Sequence, residues 1–86
     1  MITVYILFSI LTDRYFVGKT SDFEKAINRH NSAKNKHTKS GMPWKIVYKE
    51  RISDIQTANE REKIIKSANS RDELIEILKS KKNELV

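Results

Sequence analysis

At 86 residues the chain is long enough for one small domain with a modest core. It contains no cysteine, which excludes a disulfide framework and thiolate metal sites and allows a reducing cytoplasm. Lysine and arginine number 17 against 11 aspartates and glutamates, and the resulting +6 charge points to a polyanionic partner, most often nucleic acid.

The first eleven residues are apolar enough to resemble a signal peptide. They lack a basic leader and a small-residue cleavage site, and they are too short to span a bilayer. No membrane association is expected. Residues 4–11 are apolar at odd and even positions alike, save Ser9. That pattern predicts a strand covered on both faces, central in its sheet. Thr12-Asp13-Arg14 reads as a polar turn. Residues 15–19 read as a second, antiparallel strand.

Ser21-x-x-Glu24 forms a capping box that opens a helix to about Asn31, with Phe23, Ile27 and His30 on one stripe. Residues 32–43 form a polar connector carrying Lys34, Lys36, His37 and Lys39. Residues 44–50 read as a third strand. Ser53-x-x-Gln56 opens a second helix, whose Ile55, Ala58, Glu62 and Ile65 share a face. Ser70-x-x-Glu73 opens a third, burying Leu74, Ile77, Leu78 and Ile75. The tail, 79–86, is expected to fray. The order is ββαβαα.

Few motifs carry chemistry alone. Gly18-Lys19-Thr20 is not a phosphate loop, because Asp13 stands where that motif needs glycine. Gly18 either allows a tight turn into the helix or lets another group approach the backbone closely. His30 and His37 do not make a zinc site without carboxylate help. Glu62 sits on an apolar stripe, where an unpaired carboxylate is costly. It faces a cleft, a cation or a metal, or it lies at the stripe's edge paired with Lys66; periodicity alone favours the edge. Tyr5 and His30 each read singly as core residues. Arg14, Lys19, Lys25, Arg29, Lys34, Lys36, Lys39 and Lys45 are candidates for a phosphate-tracking surface, against the plainer reading of scattered solvated charges.

Together these pieces resemble the GIY-YIG nuclease superfamily, in its small stand-alone bacterial subgroup. Val4-Tyr5-Ile6-Leu7 is similar to the first signature strand and Phe16-Val17-Gly18 to the second. Asp22 to Asn31 is similar to the family's helix, in which an arginine precedes a histidine or tyrosine by four. Pro43-Trp44-Lys45-Ile46-Val47-Tyr48-x-Glu50 and Ala58-x-x-x-Glu62-x-x-Ile65-Lys66 are similar to later elements. The superfamily includes the excision-repair nuclease and homing endonucleases.

The resemblance implies an α/β (α+β) fold, with a three-stranded antiparallel sheet flanked by helices. It implies hydrolysis of DNA phosphodiesters, in duplex, nicked or branched DNA, with one divalent ion, magnesium or manganese. Glu62 takes the place of the metal ligand. Tyr5 would help activate water, and His30 would support proton transfer or hold that tyrosine. A monomer or weak homodimer is expected. Two positions depart from the pattern. Ala26 stands where the arginine is expected, and Phe16 replaces the second signature tyrosine. Arg29 is the better substitute for the missing charge, since Lys25 points about 100° away. The late asparagine has no clear match, with Asn69 a weak candidate. The expectation is therefore an impaired endonuclease. The alternatives are an inactive nucleic-acid-binding relative, or a basic protein-interaction domain.

Overall fold

A computed structural model describes residues 1–68 and 70–85. Asn69, the weak candidate for the late asparagine, lies outside the described residues. Strands β1 (Ile2–Ser9), β2 (Arg14–Thr20) and β3 (Trp44–Ile52) form one antiparallel sheet in the order β2-β1-β3. The helices are α1 (Phe23–His30), α2 (Ile55–Lys66) and α3 (Arg71–Leu78), with a 3-10 turn at Lys39–Gly41. This is the expected α+β arrangement.

The unbroken apolar run of β1 has the expected cause. Val4 and Ile6 face one layer, where they pack with Tyr48, Ile52, Ala58 and Ile65 and with Leu74, Ile77 and Leu78 of α3. Tyr5 and Leu7 face the other, with Trp44, Phe16, Phe23, Ala26 and Ile27. The sheet thus carries α2 and α3 on one face and α1 on the other. Burying each large apolar side chain contributes about 1.5–3 kcal/mol, so the two-sided central strand supplies much of the core.

Several local boundaries differ from expectation. β1 stops at Ser9, and Ile10 and Leu11 stand 76% and 74% exposed in the connecting turn. The hairpin closes on the Ser9–Arg14 pair, which leaves four residues outside the ladder. The Thr12 N–H donates to Ser9 Oγ, and Asp13 takes a left-handed φ of 56°. Arg14 therefore opens β2 rather than ending the turn.

Two of the three capping serines are displaced. Asp22, not Ser21, caps α1 by accepting from the Lys25 N–H, and Asp54, not Ser53, caps α2 by accepting from the Thr57 N–H. In both Ser-Asp pairs the aspartate brings a full negative charge to the positive end of the helix. The Thr57 N–H holds the Asp54 carboxyl below its ordinary value. Ser70 caps α3 as expected. Ile55, placed on the buried face of α2 by periodicity, is exposed.

Part of the tail is tied to the sheet. Asn83 is buried, donates to the carbonyls of Val47 and Leu78, and accepts from the Lys49 N–H. Val47 is the extra residue at the bulge where the β1–β3 register shifts. The Glu84 N–H donates to the Lys49 carbonyl, and the Glu84 carboxylate takes the N–H and side chain of Arg51. Residues 83–84 thereby lie along the outer edge of β3 at Val47, Lys49 and Arg51.

Candidate active site

A cleft of about 680 Å³ lies along the free edge of β2, and the five consecutive residues from Phe16 to Thr20 all line it. Consecutive strand residues point to opposite faces of a sheet, so this cleft wraps around the strand's edge. It draws Tyr5, Ala26, Arg29 and His30 from the α1 side. It draws Glu62 and Lys66 from α2, and Lys34, Asn35, Lys36 and His37 from the connector.

Tyr5 and His30 meet in the wall of this cleft. The tyrosine oxygen and His30 Nε2 are joined by a 3.0 Å hydrogen bond, and both residues are buried. Burial pushes the Tyr5 hydroxyl above the usual phenol value, with a further push from the Glu62 carboxylate. Burial also lowers His30 below the usual imidazole value. Both groups are therefore neutral near pH 7.

Gly18 explains how Tyr5 fits. It is the cross-strand partner of Tyr5, and a Cβ there would lie 2.7 Å from the Tyr5 oxygen. Its φ is not positive, so close approach, not turning, is what this position requires. Phe16 packs its ring 4.8 Å from that of His30 and 6.4 Å from that of Tyr5. The ring expected at this position is in place without its hydroxyl.

Glu62 reaches the cleft from the opposite face. Its carboxylate pairs with the Lys19 ammonium at 2.7 Å and with Lys66 at 3.6 Å. The edge pairing with Lys66 is present, and the cleft reading is present beside it. Lys19 is the partner that spacing within α2 does not reveal.

Of the other expected basic residues, Arg29, Lys34 and Lys36 line the cleft. Lys25 lines an adjoining depression with Arg29 and Lys34. Arg14 and Lys39 line neither. Three features escape sequence reasoning. Thr38 is fully buried beneath His30, with its Oγ1 2.8 Å from Nδ1. Tyr48, Glu50 and Arg61 form a network in which the Tyr48 hydroxyl and Arg61 Nε both donate to Glu50 Oε1, at 2.7 and 3.0 Å. Burial and that bond to Glu50 push the Tyr48 hydroxyl up to about 12. Asn83 is the third. Thr38 and Asn83 are polar residues of a connector and a tail, which carry no periodic signal, and the Tyr48–Glu50–Arg61 network joins β3 to α2 only once the chain is folded.

The model of the GIY-YIG catalytic domain matches residues 1–75. The chain belongs to the GIY-YIG family. No curated protein and no solved structure matches it. A GIY-YIG domain is a nuclease-type catalytic domain, which points to DNA as its substrate class. Nucleases of this family generally use divalent metal ions. Among the described residues, no three His, Asp or Glu side chains converge to hold one. The GIY-YIG cleft here offers one carboxylate, Glu62, already matched to a cation at 2.7 Å. One hard oxygen ligand set beside room for water and phosphate suits a strongly hydrated divalent ion.

Proposed function

We propose that this chain is a metal-dependent DNA endonuclease domain whose rate is strongly reduced by Ala26 and Phe16. One observation carries the reading: Tyr5, Ala26, His30 and Glu62, from both faces of the sheet, line one basic cleft. In this reading the Tyr5 oxygen, hydrogen-bonded to His30, orients and activates a water for attack on phosphorus. Glu62 is the residue that would hold magnesium, or manganese. Such an ion supplies charge neutralisation at the phosphate and the leaving oxygen. Lys19 and Lys66 then become free to meet phosphate oxygens, and Arg29, Lys34 and Lys36 extend that contact.

Ala26 lines the cleft beside these groups but brings no charge to it. An arginine there would reach the phosphate. Losing one preorganised stabiliser of transition-state charge costs about 10²–10³ in rate. The test is Ala26→Arg, alone and with Phe16→Tyr, assayed with magnesium on nicked, flapped and branched DNA. Cleavage is expected to rise by about that factor and to vanish again on Glu62→Ala. A folded, DNA-binding double variant that cuts nothing would overturn the proposal.

A second reading, a DNA-binding module without activity, is favoured by the Lys19–Glu62 pair, which neutralises the one carboxylate of the cleft. It predicts salt-sensitive DNA affinity that persists when Ala26→Arg restores no cleavage.

A further inference from the structure

The contact between Tyr5 and His30 continues inward. His30 Nδ1 lies 2.8 Å from Thr38 Oγ1, and Thr38 is 0% exposed. Among the described residues, that imidazole nitrogen is the one hydrogen-bond partner of the Thr38 hydroxyl. The threonine backbone is fixed from several directions. Its carbonyl accepts from Trp44 Nε1 at 2.7 Å and from the Gly41 N–H at 3.1 Å. Asn31 clamps Trp44 in turn, accepting from its N–H and donating to its carbonyl. Gly41 lies against the Trp44 ring with no room for a Cβ.

Proton accounting in this buried corner leaves one arrangement in which no hydroxyl proton is shut away from both a protein acceptor and the cleft. Suppose His30 carried its proton on Nδ1. It would donate to Thr38 Oγ1, and the threonine proton would be buried with no acceptor. Leaving a buried donor unsatisfied is the costly error in such a network. Suppose instead that Thr38 donates to Nδ1. Nε2 then carries the proton and donates to the Tyr5 oxygen, at the observed 3.0 Å. The Tyr5 O–H is left free to turn into the cleft that its ring lines. We infer that Thr38 is a positioning residue that fixes His30 as the Nε2–H tautomer, making His30 a donor to Tyr5 and not its base. The lowered pKa that burial gives His30 keeps the ring neutral, so the choice lies between these two tautomers.

The consequence for cleavage rests on the proposed nuclease activity. A phenol oxygen that accepts an N–H bond is better held in its ionised form, because the bond strengthens with charge. The proton that Tyr5 gives up leaves through the cleft to solvent or substrate, and not onto His30.

The tautomer is measurable without DNA or metal. Two-bond proton–nitrogen correlation spectra of the ¹⁵N-labelled protein, near pH 8, distinguish the two ring forms. His37→Gln assigns the His30 signals. The expected parent pattern is a protonated Nε2 and a bare Nδ1. Thr38→Val, of matching shape but unable to donate, is expected to shift His30 to the Nδ1–H form or to an average of both. Thr38→Ser is expected to keep the parent pattern. A parent protein in the Nδ1–H form overturns the inference, as does a Thr38→Val spectrum identical to the parent's. Should Thr38→Val fail to fold, Thr38→Ala removes the same donor and is read the same way, and an Nδ1–H parent still overturns the inference. In a cleaving Ala26→Arg background, Thr38→Val is expected to lower the rate by about a hundredfold or more, with DNA affinity held. Absence of cleavage even with Phe16→Tyr added to that background sinks the nuclease reading and leaves the tautomer result standing.

Discussion

Gly18 and His30 act on the same tyrosine from opposite sides. Gly18 leaves the space that the Tyr5 ring fills, and His30 holds the oxygen at its end. A methyl group at position 18 would meet both the oxygen and Cζ of Tyr5, at 2.7 and 2.8 Å. The ring is buried and tethered, so it does not swing aside freely. Gly18→Ala is expected to cost about 1–3 kcal/mol in urea denaturation. It is also expected to break the bond to His30, visible as a changed His30 ring spectrum. His30 makes a second prediction. Its folded pKa lies below the ordinary imidazole value of 6.5, so the unfolded chain binds the proton more readily. Stability from His30 is therefore fully present above about pH 6.5 and is lost as pH falls from there through the folded value. Thermal melts from pH 7.5 to 5 should show this decline, and His30→Gln should flatten that part of it.

At the scale of elements, the segment after α3 behaves as part of the sheet. The Asn83 side chain serves the Val47 and Leu78 carbonyls and the N–H groups of Lys49 and Leu85. Asn83→Ala strands these groups in a buried place, at about 1–3 kcal/mol. Amide exchange at Lys49 and Arg51 should quicken in that variant. Unchanged exchange would show that the segment adds nothing to the edge. The sequence does not announce this segment, for a physical reason. Its anchoring depends on one amide meeting a bulge in a strand 36 residues away, and no local pattern encodes that. The helix starts differ by one residue for another reason. Each Ser-Asp pair offers two capping oxygens in a row, and charge decides between them. The strands and helices are legible because two-sided and one-sided burial leave distinct apolar patterns, as β1 and α3 show. Tyr5, His30 and Glu62 are legible together through family resemblance, whereas periodicity alone leaves Glu62 on a ragged edge. The pairing of Lys19 with Glu62 and the place of Thr38 under His30 are not legible, because each contact forms only on folding.

Across the whole molecule, the +6 charge is distributed unevenly about the cleft. Lys19, Arg29, Lys34, Lys36 and Lys66 gather there against the single carboxylate of Glu62. If these residues track phosphates, DNA affinity falls linearly with the logarithm of salt concentration. Replacing Lys34 and Lys36 by methionine should weaken binding across all sequences and reduce the slope by about one for each phosphate no longer neutralised. Replacing Arg14 and Lys39, which lie off the cleft, should leave the slope nearly unchanged. Equal effects from the two pairs would place the phosphate path elsewhere.

The covered edge of β3 bears on how copies of this chain can meet. With residues 83–84 laid along β3, the sheet's remaining open edge is β2. Unpaired strand edges recruit further strands, from a second copy or from an aggregate. Here that recruitment would run through the five residues that line the cleft. Strand pairing at this edge would therefore occupy the same backbone that walls the cleft.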